Sequence, residues 1–212
     1  MTEAEWLSST DPTAMLEFLR GKASDRKLQL FACGCARAIW ENLPSRDKQE
    51  VQVFEAFVDG SNEMPRRLAP LGGKKSWNRY VPLPDFTRWG WGGDLTERVS
   101  RAASVCAKIH TSHPRTSNAP VDGRCERDIQ ANQMRCIFNP FHPVTLDPHW
   151  QTSTVLALAQ GIYTERAFDR LPILADGLAD AGCENPDLLN HCRSEGPHTR
   201  GCFAIDLLLN RE

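Results

Sequence analysis

The chain has 212 residues, 41% of them hydrophobic, enough to bury one good core or two small ones. Its net charge is −2, which argues against a protein that grips phosphate backbones over its whole surface. No run of about 18 apolar residues appears, so no membrane span is expected, and the opening Met1-Thr2-Glu3-Ala4-Glu5-Trp6 lacks the basic and apolar regions of an export signal. Eight cysteines in such a chain are expected in a reducing cytoplasm, as buried thiols or metal ligands rather than disulfides.

Helix signals dominate from the start. Asp11 before Pro12 is a cap followed by a residue that needs no hydrogen-bond partner in the first turn, and it predicts a helix to Leu19. Ser24 caps a second helix to about Asn42, with Leu28, Phe31, Ala32, Cys35 and Ile39 as its apolar stripe. A third runs from Arg46 to Val58, burying Val51, Phe54 and Val58, and Gly60 stops it. From Ser61 to Gly93 prolines and glycines interrupt every period, which predicts a long irregular insertion with a short strand or hairpin near Tyr80-Val81. Asp94 caps a helix to about His110, with Val99, Ala103 and Cys106 on one face. Residues 111–122 read as a linker, and Glu126 to Phe138 as another helix.

Pro140, Pro143 and Pro148 exclude regular helix over 139–149. Four helices follow: Thr152–Ala167 with Leu156, Ala159 and Tyr163 inward, Arg170–Ala181, Pro186–Arg193 behind an Asn185 cap, and a last one starting at Pro197. The expected fold is all-α, a bundle or short helical-hairpin array of eight or nine helices. Its parts are an N-terminal helical part (1–60), an irregular insertion with one helix and a linker (61–122), and a C-terminal helical part (123–212), together one composite domain.

Several segments resemble a family of uncharacterised proteins abundant in planctomycete bacteria. They are Trp6-Leu7, Asp11-Pro12 and Met15 to Lys27 with Leu30-Phe31-Ala32-Cys33; Asn139 to Pro148; Arg166 to Asp176; and Gly196-Pro197-His198, Arg200-Gly201-Cys202 and Asp206 to Leu209. The resemblance implies a family label and no established activity, cofactor or catalytic residue. Where that family has a Cys-Cys-Arg-Arg run, this chain has Gly34-Cys35-Ala36-Arg37. Residues 61–118 also depart from the Ala-rich helical stretch of the family, so a specialised role is expected there.

Two constellations could carry function. In the insertion, Trp77, Tyr80, Trp89 and Trp91 interleave with Arg66, Arg67, Lys74, Lys75, Arg79 and Arg88. Trp and Arg are typical interface anchors, and aromatic faces beside cations also suit single-stranded nucleic acid. The leading expectation is a non-enzymatic cytoplasmic interaction or regulatory module that contacts another protein through this loop. Nucleic-acid binding through residues 66–91 is an alternative that the net charge disfavours.

The second constellation is Cys183-x7-His191-Cys192-x5-His198-x3-Cys202. With Pro197 opening a helix, His198 and Cys202 would lie one turn apart on one face. Cys183, His191, His198 and Cys202 then become the expected metal ligands of an alternative reading, a zinc-stabilised or zinc-dependent hydrolytic protein; Cys192 is optional, and zinc suits the Cys/His mix. No Cys-x2-Cys accompanies them, so burial of the cysteines as small apolar residues is the stronger expectation, with no cofactor. A Cys106-x3-His110-x2-His113 run with Cys125 is better explained by core packing, because Cys106 lies on an apolar stripe. No Gly-x-Ser-x-Gly, His-Glu-x-x-His or phosphate loop is present, so catalysis has little support.

Overall fold

The structure is a computed structural model that describes residues 1–60, 94–112 and 123–211. Among these, every regular element is helical, as expected from the sequence. The helices are α1 (Glu3–Ser8), α2 (Pro12–Leu19), α3 (Asp25–Ala38), α4 (Ser45–Val58), α5 (Leu95–Ser112), α6 (Gly123–Ile137), α7 (Ser153–Glu165), α8 (Leu171–Asp180), α9 (Pro186–Arg193) and α10 (Phe203–Leu208). The hairpin expected near Tyr80 and the Trp/Arg loop fall outside the described residues. No described helix is long and apolar enough to cross a membrane.

The capping residues act as their chemistry requires. Asp11, Ser24 and Asn185 each accept a hydrogen bond from the first turn of their helix, from the amides of Thr13, Lys27 and Leu188. Helix α1 was not anticipated. Its signal is a capping box, in which Thr2 Oγ1 accepts from Glu5 N and Glu5 Oε2 accepts from Thr2 N. Helix α3 ends at Ala38, four residues before the expected stop, and the chain continues as a single 3₁₀ turn over Trp40–Asn42.

The chain forms two compact units, residues 1–131 and 132–212, and their boundary falls inside α6, after the expected linker. In the first unit α3 packs on α4 and α5, and α2 packs on α5. Every residue of α3 from Leu30 to Ala36 is buried, which makes it the central element. Leu28, Phe31, Ala32, Cys35, Val51, Phe54, Val99, Ala103 and Cys106 are buried as the helical periods require, whereas Val58 is half-buried.

Polar groups inside this unit are held by specific partners. Glu55 is 1% exposed and receives both arms of the Arg37 guanidinium, Nη2 at 2.6 Å and Nε at 3.2 Å. The same guanidinium stacks 3.9 Å from the Trp40 ring centroid. Arg37→Ala removes the cation from a buried carboxylate, so urea unfolding should show a loss of about 3 kcal/mol, with Arg37→Met/Glu55→Leu recovering most of it.

Glu126 on α6 is fully buried, and its Oε1 accepts from Gln130 Nε2 at 3.2 Å, which also donates to the Ala103 carbonyl at 3.0 Å. Burial pushes its carboxyl up from 4.5 to about 7, against the opposing hydrogen bond from Gln130. Between those two values the folded chain holds a proton that the unfolded chain has released, so stability falls as pH rises through the window. Glu126→Gln should remove this slope, which is on the order of 3 kcal/mol at most. Denaturation midpoints at pH 4.5 and 8 should therefore differ less in the variant than in the parent.

In the second unit α7 and α8 form a hairpin, α9 packs on α8, and α10 packs on α7 and α9. Val155, Ala159, Ile162 and Tyr163 form the inward face of α7, while the expected Leu156 is half-buried. Leu171, Leu174, Ala175 and Leu178 of α8, with Leu188, Ala204, Ile205 and Leu208, complete this core. Gln151 Nε2 donates to the Leu208 carbonyl at 2.8 Å and ties the end of α10 to the start of α7.

Candidate metal centre

The last helix begins at Phe203, not at Pro197 as the sequence suggested. Gly201 adopts φ +87°, a left-handed conformation that a right-handed helix does not continue through. Residues 194–201 are instead a loop, and Cys202 is the N-cap residue of α10, its carbonyl accepting from Asp206 N at 2.9 Å. His198 and Cys202 therefore do not share a helix face. They meet because the loop folds back, with Cys202 N donating to the Thr199 carbonyl at 3.0 Å.

This fold-back gathers Cys136, His191, His198 and Cys202, whose ligand atoms all lie within 4.8 Å of one another. Cys136 comes from the last turn of α6, His191 from α9, His198 from the loop and Cys202 from the cap of α10. His191 Nε2 is 3.1 Å from Cys202 Sγ, and His198 Nδ1 is 3.6 Å from Cys136 Sγ. A tetrahedral zinc ion with two thiolates and two imidazoles sets its donor atoms about 3.3–3.8 Å apart. The group is thus close to the geometry that such an ion requires. The two sulfurs are buried and the two imidazoles half-buried.

The surrounding hydrogen bonds favour ligation. His198 Nε2 lies 3.0 Å from the Ser194 carbonyl and donates its proton there, which turns Nδ1 toward Cys136. Metal-bound histidines characteristically carry such an outer hydrogen bond. Ser194 Oγ donates to the His191 carbonyl at 2.7 Å, so one residue braces both histidine segments. The Thr199 amide donates to Cys136 Sγ. The rings of His191 and His198 meet edge to face at 4.9 Å, and Phe203 packs 4.4 Å from His191.

Electrostatics divide the two thiols. Burial works to raise the Cys202 thiol, but hydrogen bonds from Cys136, His191 and His198, with the His191 charge, hold it well below its ordinary range. Burial, and then donation to Cys202, push Cys136 well above. Burial works to lower His198, yet the bond to Cys202, its charge and the Ser194 carbonyl leave the imidazole above its ordinary value.

Three of the four expected ligands are therefore brought together, and Cys136 takes the place given to Cys183. Cys183 follows a Schellman stop: Gly182 has φ +82°, Gly182 N donates to Ala179 O, and Cys183 N donates to Leu178 O. This turn seats Cys183 in the apolar cluster with Leu178, outside the four-residue group. Cys192, one helical turn after Leu188, is likewise core, and burial raises its thiol. Cys136 was not legible as a ligand, because it lies 62 residues from His198 and no short spacing marks it.

Among the other expected residues, Cys106 is fully buried on its apolar face, and the side chains of His110, His113 and Cys125 lie outside the described residues. The expected partner-binding residues Arg66, Arg67, Lys74, Lys75, Trp77, Arg79, Tyr80, Arg88, Trp89 and Trp91 lie there too. No protein-family model, curated protein or solved structure matches the chain.

Proposed function

We propose that the C-terminal unit is a zinc-clasped helical module, in which Cys136, His191, His198 and Cys202 hold one structural zinc ion. The observation that carries this reading is the convergence of four soft and borderline donors within 4.8 Å. Two thiolates and two imidazoles fill a tetrahedral shell and leave no position for water or substrate, so the site is a clasp and not a hydrolytic centre. Helices α9 and α10 have eight and six residues, too short to hold their ends by helix propensity alone. A metal fastening them to the end of α6 supplies that hold, and its binding energy becomes folding energy of the unit.

Purified protein should contain stoichiometric zinc, or take it up after reduction and chelation, and cobalt in its place should give the intense visible absorption of a tetrahedral thiolate site. Absence of stoichiometric uptake ends the reading. Cys136→Ser and His198→Asn should each weaken zinc affinity by more than about a hundredfold, exceeding the loss usual for an outer-shell partner. Cys183→Ser should leave affinity within about twofold, because that thiol lies in the core. In thermal unfolding, zinc held at 100 times its dissociation constant should stabilise the unit by about 2.7 kcal/mol, and the Cys136→Ser variant should lose that dependence.

A further inference from the structure

The two sulfurs and the two imidazoles of the site tie down different parts of the unit. Cys136 Sγ and Cys202 Sγ lie within 4.8 Å of each other, and they join the end of α6 to the start of α10. Both segments also belong to the core of this unit, through Cys136 itself and through Ala204, Ile205 and Leu208. The imidazoles hold α9 and the loop 194–201. In that loop Ser194, Glu195 and Gly196 are exposed, and only Thr199 and Gly201 are buried. Without the metal, the hydrogen bonds that Ser194 shares with His191 and His198 are the ties at the loop entrance.

We propose that hydroperoxide oxidation joins Cys136 to Cys202 as a disulfide, expels the zinc, and frees the histidine-bearing loop while α6 stays fastened to α10. The proposal rests on the zinc reading above. Zinc keeps both sulfurs as thiolates, the form that attacks a peroxide bond. The two imidazoles that accompany them are half-buried. One thiolate attacks a peroxide oxygen and becomes a sulfenic acid as the O–O bond breaks. The second thiolate then attacks that sulfur and displaces hydroxide. Two electrons pass from the sulfurs to the peroxide, two solvent protons complete two water molecules, and the zinc ion leaves as its hydrate. Cys183 and Cys192 do not take part, because they stand in the apolar core.

The structure thus assigns the site a redox-controlled change of clasp, in which a covalent bond replaces two of the four metal bonds. The test uses the full chain, loaded with zinc and exposed to hydrogen peroxide. Released zinc is followed with a chromogenic chelator, the disulfide by peptide mapping, and the loop by hydrogen exchange. Stoichiometric zinc release should accompany one disulfide between Cys136 and Cys202. Exchange should rise at least tenfold over residues 194–201 and stay unchanged over 203–208, and dithiol with zinc should restore the starting state. Cys192→Ser should behave as the parent does.

Retention of zinc under peroxide, a Cys192–Cys202 bridge, or release through sulfinic acid alone overturns the proposal. So does an unchanged loop after the Cys136–Cys202 bond has formed. A chain that never takes up zinc fails before peroxide is added, and that result removes the metal reading itself.

Discussion

Two buried thiols and two imidazoles, drawn from the end of α6, from α9, from the loop after it and from the cap of α10, form the constraint around which the second unit is organised. Polar groups taken out of water must be satisfied, and here they satisfy one another. Cys136 and Cys202 are buried, and the His198 and His191 rings meet them at 3.6 and 3.1 Å. The loop between the histidines and Cys202 follows from this need. Its left-handed Gly201, the Cys202–Thr199 turn and the Ser194 carbonyl on His198 all bring donors toward one point. A six-residue helix such as α10 gains its place less from its own hydrogen bonds than from what its cap residue is joined to.

The first unit meets the same requirement differently. Its central helix is buried almost all round, and the charged group that α4 places inside, Glu55, is met by a fork from Arg37. Glu126 is met by a neutral amide, which does not compensate burial as a cation would, so its carboxyl rises toward neutral pH. The two units show two solutions to polar burial. One uses pairs of side chains fixed by helix packing, and the other a cluster whose geometry suits a metal ion.

Much of the helical framework was legible in the sequence. Asp11, Ser24 and Asn185 mark helix starts through local chemistry, and the stripe Leu28, Phe31, Ala32, Cys35 and Ile39 marks a buried face by spacing alone. The candidate site was legible in part, since His191, His198 and Cys202 crowd together within a few turns of chain. The helix expected from Pro197 was not formed, because Gly201 takes a conformation that helix phasing does not foresee. Cys183 seemed the natural fourth ligand by proximity in sequence, but the stop of α8 turns it into the core.

The sequence by itself determined the helical character of the described residues, the positions of most helix starts, and a C-terminal region rich in metal-binding side chains. These follow from caps, periods and composition, all of which act over a few residues. Only the tertiary structure decided which donors meet. Cys136 reaches His198 across 62 residues because α6 ends where the loop after α9 folds back. Convergence of this kind depends on packing between distant segments, and no local pattern of residues encodes it.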